Sequence, residues 1–380
     1  MDTAPQVCAR CLMNSTVPGI RFDGAGICNY CTEFLDRSAH VLRKPADVRK
    51  RELAEFVARV KEGGRGRRYD CVVGVSGGVD SSWVLVQTVR LGLRPLAVHM
   101  DNGWNSELAQ NNISNIVQAL GVDLHTHVIE WEEYRALMQA FFDADVIDVE
   151  LLYDNAMLAV NYRQAAMERT RHILAGTNQA SEGMLMPPGW TWNKFDARHI
   201  RALARRAGCG PLRTFPAIGS LGRLWYRLAR GVRWVSFLDL LDYNKFEALE
   251  VLQAEYGYKP YPYKHYESVF TRFYQGYILP EKFGVDKRIL HFSTLVAAGQ
   301  MTREEGLRHL QGIPYPSIED LEQDTRYFLK KMGWSAEDLA RYIARPGRAH
   351  DEHPTEWSLA RRVRAAWRSW RAERRGTGDA

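Results

Sequence analysis

Two residue patterns in this 380-residue chain are equipped for chemistry. The first is Ser76-Gly77-Gly78-Val79-Asp80-Ser81-Ser82, which follows the apolar run Tyr69-Asp-Cys-Val-Val-Gly-Val75 and precedes Val84, Leu85 and Val89 at helical spacing. Gly77 and Gly78 let backbone approach an anion without side-chain interference, and Ser76, Ser81 and Ser82 offer hydroxyl donors. A helix starting here aims its free N–H groups and positive dipole end at the same point. The pattern predicts a pyrophosphate cradle. It is not the Walker loop, whose Gly-Lys-Ser/Thr ending is absent.

The second pattern is Cys8-Ala-Arg-Cys11 and Cys28-Asn-Tyr-Cys31, two knuckles separated by sixteen residues. That spacing brings four thiolates to one tetrahedral zinc, with an iron–sulfur cluster as the rival occupant. So short a segment buries little apolar surface, and the metal would supply much of its folding energy. Four thiolates leave no open position, so the site reads as structural. Two disulfides would need an oxidising compartment that nothing else in the sequence supports. Cys71 and Cys209 stand alone and read as buried small side chains.

These patterns need elements to hold them. A helix-compatible connector (44–62) leads to the phosphate-loop strand. Arg94-Pro-Leu-Ala-Val-His99 then reads as strand two, 108–120 as a helix, 124–129 as strand three, 158–169 as a helix and His172-Ile-Leu-Ala175 as strand four. The alternation predicts an α/β fold with a doubly wound parallel sheet, an N-terminal zinc knuckle and a mostly helical C-terminal region. Its domain boundaries are 1–40 for the zinc module, 41–185 for the ATP-binding domain, 186–315 for a helical substrate or partner region and 316–380 for a basic helical tail. Ligands gather at the carboxyl ends of such strands. Three segments meet there: the phosphate loop, Met100-Asp101-Asn102-Gly103-Trp104-Asn105, and Gly176-Thr177-Asn178-Gln-Ala-Ser-Glu182.

Composition sets limits. The chain is 46% hydrophobic and 25% charged, as in an ordinary protein with a core to fill. No apolar run approaches the roughly 20 residues of a membrane span, and the first 30 residues do not read as a signal peptide, so the expected compartment is the cytoplasm. Of the net charge of +6, residues 341–380 supply an excess of five, with ten Arg against five acids. The body is thus near neutral, which argues against a broad nucleic-acid groove. The tail reads as a solvated helix docked by Trp357, Trp367 and Trp370.

The phosphate loop resembles that of the PP-loop (HUP-like) ATP pyrophosphatase superfamily. The resemblance implies cleavage of ATP to AMP and pyrophosphate, adenylation of a carbonyl-type oxygen, and Mg²⁺ held in part by Asp80. The alternative for Asp80, a helix N-cap, is compatible with that role. It also implies adenine reading by backbone at His99 and Met100 and a nucleotide wall formed by Gly176 and Thr177. Asp101 and Asn102 would face the ribose or the acceptor, unless they merely form an Asx-type turn. Val79, Asn178 and Glu182 complete the expected nucleotide set.

Further motifs narrow the family. Lys264-His265-Tyr266-Glu267-Ser268, Thr271-Arg272-Phe273, Asp286-Lys287-Arg288, His291 and Gly299-Gln-Met-Thr-Arg303 occur with Asp101-Asn-Gly-Trp104, Gly176-Thr-Asn178, Asp242-Tyr-Asn-Lys245 and the cysteine knuckles. Together they resemble the N-acetyl sugar amidotransferases of the WbpG type. The resemblance implies conversion of an acetamido group on a nucleotide-linked sugar to an acetamidino group in O-antigen or related surface-glycan synthesis. Lys264, Arg272, Lys287 and Arg288 would stabilise developing phosphate charge or bind the substrate diphosphate, and His265 and Glu267 would orient the acceptor or take a proton from ammonia. For each, the alternative is an ion-pair network between helices. No glutaminase nucleophile stands out, so ammonia is expected from a separate glutaminase subunit, with room for a cyclase-like companion.

Three rivals stand beside this reading. They are a tRNA-modifying PP-loop enzyme, a nucleotide-binding regulatory protein, and attachment to lipid through 221–241, where Arg223, Arg227, Arg230 and Arg233 alternate with Leu224, Trp225, Tyr226 and Trp234. A helical flap or a partner-docking surface accounts better for that last stretch.

Overall fold

The computed structural model describes residues 5–261 and 266–358. Five parallel strands, β1 (Cys71–Gly74), β2 (Pro95–Asp101), β3 (Asp123–Val128), β4 (His172–Ala175) and β5 (Arg233–Ser236), form one sheet in the order β3-β2-β1-β4-β5. Register places Val73 beside Ala97 on one side and Leu174 on the other. Strand residues divide by parity. Val72, Leu96, Val98 and Ile173 enter one core, while Cys71, Val73, Ala97 and Leu174 enter the other. That period of two, with both faces covered, produces the near-continuous apolar runs of β1 and β2.

Around the sheet, in chain order, run α1 (Asn29–Leu42), α2 (Ala46–Gly63), α3 (Val79–Arg90), α4 (Glu107–Leu120), α5 (Trp131–Asp143), α6 (Leu151–Met167), the one-turn α7 (Gln179–Glu182), α8 (Ala197–Arg206), α9 (Ser220–Ala229) and α10 (Lys245–Tyr256). The C-terminal region adds α11 (Val269–Phe273), α12 (Leu279–Phe283), α13 (Lys287–Ala297), α14 (Arg303–His309), α15 (Ile318–Met332) and α16 (Ala336–Ala344). The doubly wound architecture is therefore as the alternation predicts. Side chains of α2, α3 and α4 pack in the core with Val73, and those of α5 and α6 pack with Val72, the cysteine knuckles and the C-terminal helices.

Two elements differ from the sequence reading. The helix expected at 158–169 begins at Leu151, because Asn155, Asn161 and Gln164 are buried on hydrogen bonds and the helix is covered all round, leaving little periodicity to read. The stretch 221–241 is not one helix: after α9 the chain turns at Gly231 and adds β5 to the sheet edge. Four strand residues are too few to outweigh the helical spacing of Leu and Arg around them.

Cys71 is fully buried in β1 and its thiol is pushed up by burial, while Cys209 is half-buried and donates to Ala136 O at 3.5 Å. No helix among the described residues is long and apolar enough to cross a membrane. The tail from 359 onward, with Trp367 and Trp370, and the candidates Lys264 and His265 lie outside the described residues.

Candidate active site

The phosphate loop leaves β1 where strand order reverses between β1 and β4. Gly77 has φ +85°, and a Cβ there would meet Ala109 at 2.9–3.1 Å, so glycine is required on both counts. Gly176, from the loop after β4, packs so near the helix start that a Cβ would lie 3.0 Å from the Asp80 and Ser81 backbone. The Ser81 hydroxyl lies 3.2 Å from Ser76 N and 3.1 Å from Ser76 Oγ, holding the loop closed on itself. Tyr258 and Tyr261 each donate to Gly77 O at 3.0 Å. The N-cap of α3 is Gly78, which has no side chain to bond the first N–H groups of the helix, as an anion site requires.

Asp80 is therefore not the cap of α3. It lies one residue inside the helix, where its carboxylate accepts from the Tyr243 hydroxyl and faces Lys245 Nζ at 3.6 Å. Burial and the neighbouring Asp80 charge push the Tyr243 phenol well above its ordinary range, keeping it a donor. A cavity of about 460 Å³ opens at this point, lined by Ser76, Gly78, Val79, Asp80 and Ser81, by Met100 at the end of β2, and by Gly176, Thr177 and Glu182. Among the described lining residues Lys245 is the cation, and Met157, Trp234, Phe246 and Phe292 supply apolar wall. Ser76, Asp80 and Ser81 meet the hydroxyl and carboxylate requirements of a nucleotide phosphate site with Mg²⁺.

Several expected residues do not line this cavity. Gly77 serves through its turn, and Ser82 and Asn178 are buried, Asn178 as the cap of α7. The His99 imidazole is held between Val75 O at 2.9 Å and Asn105 at 3.0 Å, and burial lowers its pKa. Asp101 accepts from Gly103 N and Asn102 from Trp104 N, so their side chains form Asx turns, and neither lines the cavity.

A second cavity, also about 460 Å³, shares Ser76, Tyr153, Asp154, Glu182, Glu267 and His291 with the first. Of the basic candidates, Arg272, Lys287 and Arg288 line this second cavity. Lys287 pairs with Glu150 at 2.6 Å, Arg272 pairs with the buried Asp324 and lies over the Tyr266 ring, and Arg288 pairs with Asp286 at 2.8 Å while donating to the carbonyls of His309, Gly312 and Ile313. Arg288 thus closes a loop. The second cavity also exposes Lys194, which is 2.7 Å from Asp148 and 2.8 Å from Asp154. Burial would raise Asp148, but Lys194 and Lys287 outweigh it and hold its carboxyl low; burial prevails at Asp154 and raises it. Sequence reasoning missed Asp154, Lys194 and Tyr153, and left Lys245 without a role although it had marked Asp242-Tyr-Asn-Lys245. The acid-rich start of α6, Asp148, Glu150 and Asp154, was the available signal.

The four knuckle cysteines are buried with their sulfurs within 4.8 Å of one another. Cys8 and Cys31 sulfurs are 3.9 Å apart and Cys11 and Cys28 sulfurs 3.7 Å, near the edge of about 3.8 Å that a tetrahedron of about 2.3 Å Zn–S bonds requires. Backbone N–H groups of Arg10, Met13 and Cys28 point at these sulfurs, as they do when thiolates carry metal charge. The cluster fits one structural zinc. It also braces the site: Arg303 of α14 donates to Cys8 O and Cys11 O, Ser293 of α13 accepts from Leu12 N, and α13 and α14 place His291, Phe292 and His309 in the first cavity.

Two family models match this chain. The model for the LPS biosynthesis protein WbpG-like C-terminal domain matches residues 267–364, and that for NAD synthase matches residues 52–190. No curated protein matches. Among solved structures, the NH3-dependent NAD synthetase of Campylobacter jejuni is 15% identical with a TM-score of 0.27, covering 54% of this chain and 82% of that one. NMN synthetase of Francisella tularensis is 12% identical with a TM-score of 0.30, covering 56% and 97%. These two likenesses are too distant to add to the sheet order and loop geometry. The phosphate loop and its helix lie inside one matched segment and Glu267, Arg272, Lys287 and Arg288 inside the other, so the chain joins an NAD synthase-like domain of the PP-loop type to a WbpG-like C-terminal domain.

Proposed function

We propose that this chain adenylates the acetamido group of a nucleotide-linked N-acetyl sugar and converts it to an acetamidino group with ammonia, releasing AMP and pyrophosphate, in surface-glycan synthesis. The broader class, an ATP-using PP-loop enzyme of amidotransferase type, follows from the two matched families. The observation that carries the finer reading is the wall common to both cavities. A nucleotide on the phosphate loop and an acceptor in the second cavity would meet at Ser76, Tyr153, Asp154 and Glu267.

The chemistry follows from that junction. The amide oxygen attacks the α-phosphorus, the bond to pyrophosphate breaks, and the carbon becomes an imidate carrying AMP. Ammonia adds to that carbon, a proton passes to a junction carboxylate such as Asp154 or Glu267, and AMP departs with the former amide oxygen. Mg²⁺, when bound beside Asp80, supplies charge neutralisation on the phosphates. Loop N–H groups, the serine hydroxyls and Lys245 orient them. Lys194 and Lys287, which line the second cavity while paired with Asp148, Asp154 and Glu150, would face the sugar's own diphosphate. Neither cavity is lined by a cysteine, which favours ammonia delivered by a separate glutaminase, with space for a cyclase-like companion. A compartment holding nucleotide sugars, the cytoplasm, suits this role.

Incubation with ATP, Mg²⁺, ammonium and a panel of nucleotide N-acetyl sugars tests the reading. One sugar should lose roughly 1 Da with one AMP formed per product. AMP formation with no change in any sugar would overturn the acceptor assignment.

A further inference from the structure

The near-neutral body conceals a block of one sign. Residues 197–238 contain nine Arg and no Lys, Asp or Glu, whereas the whole chain is only +6. Parts of this block meet α6 around a third cavity of about 1270 Å³, which shares no residue with the other two and is lined by Arg163, Arg198, Arg201, Arg205, Trp225 and Trp357. Among the described residues none of the four arginines pairs with a carboxylate. The single acid of the lining, Glu356, is already engaged, accepting from Ser220 N at the start of α9 at 2.9 and 3.2 Å. Crowded like charges with no carboxylate partner among the described residues call for an external anion.

Helix α9 beside this cavity is turned inside out. Tyr226 stacks on Tyr162 at 5.5 Å and Arg223 lies over Phe195 at 4.7 Å, which fixes the inner side of the helix. At helical spacing Leu221, Leu224, Trp225 and Leu228 share the opposite side, and they are 80%, 47%, 51% and 72% exposed. Leucines held this far from the core on a ten-residue helix gain nothing from folding.

We infer that this face binds the surface of an anionic phospholipid bilayer, the arginine-lined cavity receiving headgroup phosphates while the outer side of α9 enters the acyl boundary. A polyanion such as RNA would satisfy the arginines and leave the leucines in water. An apolar protein surface would cover the leucines and strand the arginines. A bilayer offers phosphate and hydrocarbon at successive depths, matching cavity and helix side by side. The contact is peripheral, consistent with the absence of a spanning helix among the described residues.

Flotation of the full chain with phosphatidylcholine vesicles, with and without phosphatidylglycerol, tests this. Binding should require phosphatidylglycerol and weaken with salt. The double substitution Leu221→Ser with Leu228→Ser, at exposed positions that do not support the fold, should lower the partition coefficient about tenfold or more. Arg201→Gln with Arg205→Gln should lower it and flatten its salt dependence. Both variants should keep ATP-dependent AMP formation in solution. Failure to bind the anionic vesicles overturns the inference, as does undiminished binding by the leucine variant, which would assign the attraction to bare charge elsewhere. RNA binding that survives the leucine substitutions without vesicle binding would mark a polyanion site instead. Self-association lost on the same substitutions, seen by light scattering, would mark a contact between copies.

Discussion

Substitution of Lys194 by Met removes one ammonium from between two carboxylates. Lys194 is 2.7 Å from Asp148 and 2.8 Å from Asp154, with side-chain exposures of 29%, 1% and 33% in that order. Breaking a buried pair by removing one partner typically costs about 3–5 kcal/mol. Asp148 keeps the Thr191 hydroxyl at 2.9 Å and Trp192 N at 2.7 Å, and water reaches Asp154, so the lower end, about 3 kcal/mol, is expected. Urea unfolding followed by tryptophan fluorescence measures it. The pH dependence has a definite sign. In the native protein Asp148 is held low, so its contribution is present above the ordinary carboxylate pKa and is lost as pH falls through its lower native value. Without Lys194, Asp148 loses the larger of the two charges that hold it low while Lys287 and the Trp192 N–H remain, and Asp154, already raised by burial, rises further, so acidification through the Asp154 value should recover part of the lost stability. Asp154, already raised, gives the native protein a smaller change of the same sign. Adding Asp154→Asn to the Met variant should recover part of the loss. A loss below about 1 kcal/mol at neutral pH, or a variant that acid destabilises further from there, would refute the reasoning.

Lys245→Ala should reduce AMP formation by about 10²-fold or more, because Lys245 is a cation of the phosphate-loop cavity; single-turnover AMP release reads it, and near-normal release would remove Lys245 from the site. One zinc per chain should be found by elemental analysis. Its extraction should weaken ATP binding in a nucleotide titration as well as lower the thermal midpoint, because Arg303 and Ser293 tie the knuckle to α13 and α14; unchanged ATP affinity in the metal-free protein would contradict that link. The purified chain should use ammonium and not glutamine, and glutamine-dependent product from it alone would eliminate the separate glutaminase.

The phosphate loop and the knuckles were legible because their chemistry is local: seven consecutive residues in one case, two Cys-x-x-Cys pairs in the other. β1, β2, β4 and the helix after the loop followed from uninterrupted or periodic apolar runs. β5 did not, since Arg233-Trp-Val-Ser236 sits among Leu, Trp and Arg at helical spacing, and its pairing with β4 is a tertiary contact that no local pattern encodes. Asp101 and Asn102 had the composition of ligands, but their oxygens close turns two residues ahead. The basic residues were seen as candidates without their partners, because Arg272 meets Asp324 and Lys287 meets Glu150 across 52 and 137 residues of chain. Lys194 was invisible for the same reason, and Asp154, although part of the acid-rich stretch 148–154, is paired with Lys194 only by folding.

The central claim is that the substrate's amide oxygen is activated by AMP transfer at the junction of the two cavities. The direct test is to label that oxygen isotopically in the accepted sugar, run the reaction with ammonium, and weigh both products. The label should appear wholly in the AMP phosphate and be absent from the sugar and from pyrophosphate. Label retained in the sugar, or lost to water with unlabelled AMP, would contradict adenylation of the amide.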